Sequence, residues 1–149
     1  MISSLADITL ASDTAWLQCP FSALGLVPEF GSAINWSQSI GVHRANDFLM
    51  LGRKLTAQEL EQWGVVNRIF PVGNFHADVQ KYLEEQLAVN DGKSMMESKR
   101  LMNIPLREGR MVAVYNASEA LAERFVEGAP EERFRIKKAE LEKKSKARL

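Results

Sequence analysis

Glu29 lies in the run Leu26-Val-Pro-Glu29-Phe-Gly31, and its neighbours Leu26, Val27, Pro28 and Phe30 carry no polar side chain. Apolar surroundings disfavour the charged form of a carboxylate and raise its pKa towards the operating pH, as proton transfer to and from carbon requires. Without further context, a glutamate after a proline is a solvated charge at a helix start, where the dipole favours it. Cys19 follows an apolar segment with no base beside it, the setting of a buried structural thiol. His43 and His76 are isolated among polar residues and read as surface groups. With one cysteine and two scattered histidines, no metal-ligand spacing occurs. Trp16, Trp36 and Trp63 read as core or subunit-interface anchors, and Met95, Met96 and Met102 as core filling.

The elements that must position Glu29 begin with two short strands. Asp7-Ile-Thr-Leu-Ala11 and Trp16-Leu-Gln-Cys19 flank a turn at Ser12-Asp13, and Pro20 ends the second. From Phe30 the apolar residues Ile34, Trp36, Ile40, Ala45, Phe48, Leu49 and Leu51 fall near helical spacing, which predicts two helices stopped at Gly41 and Gly52. Thr56-Ala-Gln-Glu59 has the form of a capping box, opening a helix that ends at Gly64. Residues 65–70 alternate like a strand until Pro71. Helical periodicity then runs over 75–89, 94–102, 107–127 and 131–146, separated by Asn90-Asp-Gly92, Asn103-Ile-Pro105 and Gly128-Ala-Pro130.

Composition narrows the function classes. Nineteen basic and nineteen acidic residues cancel, so the chain as a whole makes no electrostatic case for nucleic acid or an anionic membrane. No apolar stretch approaches the ~18 residues of a membrane span. The lone cysteine suits a reducing compartment. The N-terminus shows no leader pattern, and 149 residues without a linker predict one domain.

Leu5-Ala-Asp7 with its strand, Pro20-Phe21 through Phe30-Gly31, Ala45 to Gly52, Leu55-Thr-Ala57 and Gly64-Val-Val-Asn67 together resemble the second half of the crotonase (enoyl-CoA hydratase/isomerase) fold, in family order. The resemblance is sharpest to the peroxisomal Δ3,Δ2-enoyl-CoA isomerases. It implies an α/β chain: residues 1–70 as part of the spiral core with the active-site loop, residues 71–149 as a helical region that builds the trimer interface in similar proteins. Hydratases of the family place a catalytic carboxylate after the proline matching Pro20. Here that position is Phe21, which resembles the apolar residue of the isomerases and disfavours hydration. The isomerases place their single glutamate in a Leu-x-x-Glu-x-Gly loop, and Glu29 matches it.

The resemblance thus implies Glu29 as catalytic base, Phe21, Leu26 and Pro28 around the acyl group, a 3-enoyl-CoA substrate and no cofactor beyond the coenzyme A of that substrate. A hydratase-like or isomerase-like step on an unusual acyl-CoA in a specialised pathway is the alternative within enzymes. Similar proteins meet coenzyme A phosphates with late cationic residues, a role open to Lys137 or Lys138. The family also stabilises the thioester enolate with two backbone amides from glycine-rich segments that precede the region matched here. Each such donor is worth about 10²–10³ in rate, so a chain acting without them is expected to be severely impaired. A non-catalytic paralogue that joins full-length subunits, or a shortened gene product, is the contrasting expectation. Strand edges left open by the missing partners predict self-association. Ala147-Arg148-Leu149 is a conservative variant of the Ser-Lys-Leu peroxisomal signal, implying an import receptor as partner.

Overall fold

A computed structural model describes residues 2–146. Four short strands and seven α-helices follow a brief 3-10 turn at Ile2–Leu5. β1 (Leu10–Ser12) runs parallel to β4 (Arg68–Phe70), with Ala11 opposite Ile69, and β2 (Trp16–Leu17) runs antiparallel to β3 (Leu55–Thr56), with Leu17 opposite Leu55. The turn between β1 and β2 forms as read, closed by Ala15 N–H donating to the Ser12 carbonyl at 3.0 Å, yet its two strands enter different sheets. Parallel pairing of β1 with β4 requires a long crossover, and the helices between them provide it. Asn67 fixes the register at its mouth. Its Oδ1 accepts from Thr9 N–H at 2.8 Å, and its own N–H donates to the Thr9 carbonyl at 2.8 Å.

Within the crossover, α1 (Ser32–Ile40) turns Ser32, Asn35, Trp36 and Ile40 inward, and α2 (Val42–Leu49) turns Ala45, Phe48 and Leu49 inward, each one helical face. Gly41 divides them as the sequence predicts, whereas α2 stops at Leu49, before Gly52. Trp36 and Phe48 meet with ring centroids 4.9 Å apart and planes tilted by 58°, a favoured aromatic geometry. α3 (Ala57–Gln62) opens with the predicted capping box: Thr56 Oγ1 accepts from Glu59 N–H, and the Glu59 carboxylate accepts from Thr56 N–H at 2.9 Å. Donation to that carboxylate from Thr56 N–H foremost, and from Thr56 Oγ1 at 3.1 Å, holds the Glu59 carboxyl below its ordinary pKa.

Four helices follow: α4 (Phe75–Val89), α5 (Gly92–Asn103), α6 (Arg107–Val126) and α7 (Ala129–Lys146). Their bounds lie within two residues of the sequence periodicity, and a 3-10 turn at Ile104–Leu106 replaces the expected loop before α6. Asp91 caps α5 by accepting from Ser94 N–H at 2.8 Å, which lowers the aspartate pKa. α4 rests on β4 through Phe70 and Tyr82, whose rings lie 5.8 Å apart.

Burial divides the chain. Among the described residues, every buried apolar side chain except Pro130 lies between Ala11 and Val66. α4, α5 and α6 bury no residue, and α7 buries only Pro130. The expectation that Met95, Met96 and Met102 fill the core is therefore corrected: all three are exposed, because α5 buries none of its residues against the rest of the described chain. Trp16 is corrected as a core anchor too, being 56% exposed with the Lys54 ammonium 3.9 Å from its ring centroid. Trp36 is buried, Trp63 half-buried, and both histidines are exposed as read.

Candidate active site

The segment between Cys19 and α1 is held at three places. At its start, buried Cys19 joins the core, and burial pushes its thiol pKa up, leaving a protonated structural group as the sequence suggested. Phe21 is half-buried and packs on the core cluster. A 3-10 turn at Ser22–Leu24 follows, closed by Leu26 N–H donating to the Phe21 carbonyl at 2.9 Å, while Ser22 Oγ donates to the Leu49 carbonyl at 3.1 Å.

The turn is clamped from the far end of the chain. Arg133 Nε donates to the Ala23 carbonyl at 2.9 Å, and Arg124 Nε reaches the Gly25 carbonyl at 3.5 Å. Gly25 has φ +70°, and a Cβ there would lie 2.8 Å from the carbonyl carbon and oxygen of Ala129. Only glycine satisfies both the left-handed backbone and that approach.

Residues 26–29 then run half-buried and without regular structure to Glu29. Two consecutive left-handed residues, Phe30 at φ +54° and Gly31 at φ +65°, reverse the backbone into α1. A left-handed phenylalanine is uncommon and stores about 1–3 kcal/mol of strain, a feature that accumulates at functional sites. Ser32 N–H donates to the Glu29 carbonyl at 2.9 Å, so the glutamate sits immediately outside the α1 N-terminus. A Cβ on Gly31 would come within 3.3 Å of the Arg110 carbonyl and Val114 Cγ2, which places α6 directly behind the loop.

Glu29 is the only carboxylate between Asp13 and Asp47. Its side chain is half-buried and makes no hydrogen bond or ion pair among the described residues. A carboxylate in that state is free to exchange a proton with a bound molecule. Leu26, Val27 and Pro28 share its half-burial, but Phe30 is 57% exposed and does not enclose it. The structure thus brings Leu26, Pro28 and Glu29 onto one strap and sets Phe21 at its root. Lys137 pairs with Glu140 at 3.2 Å on α7. No group able to hold a metal occurs among the described residues. Ala147, Arg148 and Leu149 lie outside the described residues.

The sequence did not single out the arginine clamps or the polar face of α1. Arg124 and Arg133 lie about a hundred residues from the carbonyls that they meet, and no local pattern marks such a pairing. Asn35 carried a signal, since it stands at i+3 from Ser32 and one residue before Trp36 on the buried face.

The family profile described as enoyl-CoA hydratase/isomerase matches residues 1–139. Among curated proteins, the chain is similar to Delta(3,5)-Delta(2,4)-dienoyl-CoA isomerase of Pyricularia oryzae, 35% identical over 154 residues covering 96% of this chain and 54% of that protein. It is also similar to chromodomain Y-like protein 2 of Homo sapiens, 38% identical over 101 residues, 68% of this chain and 20% of that one. A crystal structure of enoyl-CoA hydratase/isomerase from Pseudoalteromonas atlantica T6c superposes with a TM-score of 0.82 at 29% identity, covering 89% of this chain and 53% of that chain. The chain therefore spans about half the length of that dienoyl-CoA isomerase and of that solved structure.

Proposed function

The chain belongs to the enoyl-CoA hydratase/isomerase family, and on that premise we propose that it acts as an enoyl-CoA isomerase, moving a double bond from C3 to C2 of an acyl-CoA thioester with Glu29 as the proton carrier. The observation that carries this reading is the unpaired, half-buried carboxylate on a clamped strap, in a loop with no second acid. Glu29 takes a proton from C2, and the electron pair spreads through the thioester carbonyl and the C3–C4 double bond. Return of the proton at C4 leaves the double bond between C2 and C3, with no net gain or loss of protons. One base reaching both carbons can carry out both proton transfers. Hydration needs a second group to activate water, and Phe21 at the root of the loop has no such capacity. The dienoyl-CoA isomerase relative supports an isomerase over a hydratase.

Peroxisomal fatty-acid β-oxidation is the setting that the tripeptide Ala147-Arg148-Leu149 favours, with an import receptor as partner. Assembly with like subunits, in the trimer type of similar proteins, is the second part of the reading. The unburied apolar residues of α5 and α6, among them Leu101, Met111, Val112 and Tyr115, favour it.

The test is turnover of a 3-enoyl-CoA to the 2-enoyl-CoA by the full chain beside its Glu29→Gln variant. Turnover that falls by about 10²-fold or more in the variant supports the isomerase. Equal turnover in both removes Glu29 from the mechanism, and none in a folded wild-type sample favours the non-catalytic, subunit-joining or shortened-product reading.

A further inference from the structure

A cavity of about 510 Å³ opens beside Phe30, between α1 and the region where α5 passes into α6. Its walls are mostly carbon, from Phe30, Ile104, Met111 and Val114 among others, and its polar lining contains no carboxylate. Arg100, Arg107 and Arg110 all reach it. Arg100 is neutralised by Glu97 at 2.8 Å, whereas Arg107 and Arg110 have no acidic partner among the described residues.

Asn35 also lines the cavity. Asn35 is 2% exposed, and its amide oxygen and nitrogen are both inaccessible and without a hydrogen-bond partner among the described residues, so other atoms of the residue form the wall. Arg110 is similar in kind. One guanidinium nitrogen donates to Asn103 Oδ1, which fixes the group, while its buried Nε has no partner. The other guanidinium N–H groups of Arg110 and those of exposed Arg107 have no carboxylate partner among the described residues and border an apolar cavity, which suits a ligand with a polar end. Two unneutralised guanidinium groups make that end an anion, and the planar donor set of arginine suits a carboxylate.

Glu29 itself does not line the cavity, but the next residue does. Gly31 packs on α6 at Arg110 and Val114, so the loop carrying the base and the wall carrying the arginine are in direct contact. We propose that this cavity receives the far end of the acyl group and that this end bears a carboxylate, making the preferred substrates CoA thioesters of enoyl dicarboxylic acids. The carbon walls take the methylene chain, and Arg110 and Arg107 take the carboxylate. This rests on the isomerase reading of Glu29 for the orientation of the acyl group.

The test measures binding apart from turnover. The affinity of the full chain is determined for two saturated CoA thioesters of equal chain length, one ending in a methyl group and the other in a carboxylate. The wild type is expected to bind the carboxylate-ended thioester about tenfold or more tightly, as charge-assisted hydrogen bonds imply. Arg110→Gln is expected to bring the ratio of the two affinities close to one. Should that variant fold poorly, exposed Arg107→Gln is read for the same fall in ratio. Equal affinities in the wild type, preference for the methyl-ended thioester, binding of neither, or a ratio unmoved by either arginine variant would overturn the assignment. The preference without turnover of the matching 3-enoyl thioesters supports the cavity and counts against the isomerase reading alone.

Discussion

Residues 11–66 and the helices beyond residue 75 use the same helical and strand patterns to opposite ends. The first region buries eleven apolar side chains, from Ala11 to Val66, around Trp36, Phe48 and Leu55. The second has longer helices, of 12 to 20 residues, and buries only Pro130. Its apolar residues are plentiful but outward: Val89 is 80% exposed and Val126 89%. Periodicity fixes that a helix forms and which face is apolar, while burial depends on what arrives to cover that face. The strap bearing Glu29 belongs to both regions, being rooted in the core by Phe21 and pinned from outside by Arg124 and Arg133.

The largest expected effect breaks the first region. Phe48→Ala removes the partner of Trp36 from a site 2% exposed, and is expected to cost about 3–5 kcal/mol in chemical denaturation. A loss below about 1 kcal/mol would mean that the core around α1 and α2 is not what holds the fold.

Gly25→Ala tests the join between the regions. The added Cβ meets the Ala129 carbonyl at 2.8 Å in a left-handed residue, so a loss of about 2 kcal/mol is expected, with α7 displaced from the loop. Hydrogen exchange should show the effect concentrated in residues 20–26 and at the start of α7. Uniform exchange across the chain would deny the clamp.

Thr56→Ala is smaller, about 1 kcal/mol, because it removes one cap at the α3 start. The carboxylates at the two capped starts, Glu59 and Asp91, have pKa values lowered by the hydrogen bonds they accept. Their contribution is present above the ordinary carboxylate values of 4.5 and 3.8 and is lost as pH falls through the lower folded values. Thr56→Ala should therefore shrink the acid-dependent part of stability as well as the total. An unchanged pH profile would contradict the capping account.

Smallest is Val126→Ser, at the end of α6, expected within about 0.5 kcal/mol in the isolated chain. Met111→Ser sharpens the comparison in the opposite sense: if α6 is covered by a like subunit, this change lowers the assembly state in sedimentation while leaving monomer stability nearly unaltered.

Much of the architecture was legible because local rules decided it. The bounds of α4, the break at Gly41 and the capping box at Thr56 all follow from residues within one or two turns of each other. Strand pairing was not, since two- and three-residue strands take their partners from more than thirty residues away. The methionines of α5 were misplaced because spacing supplies a face and no neighbour. The Glu29 loop was readable as a motif, but Phe30's left-handed backbone, the arginine clamps and the cavity over Asn35 arise only when α6 and α7 fold back on it.

The central claim is that the Glu29 carboxylate removes a proton from C2 of an acyl-CoA thioester, and exchange of that proton into deuterated water tests it without requiring full isomerisation. Followed by NMR on an acyl-CoA with the wild-type chain and Glu29→Gln, the account predicts catalysed exchange at C2 that disappears in the variant. Exchange persisting at the wild-type rate in a folded Glu29→Gln chain would contradict it.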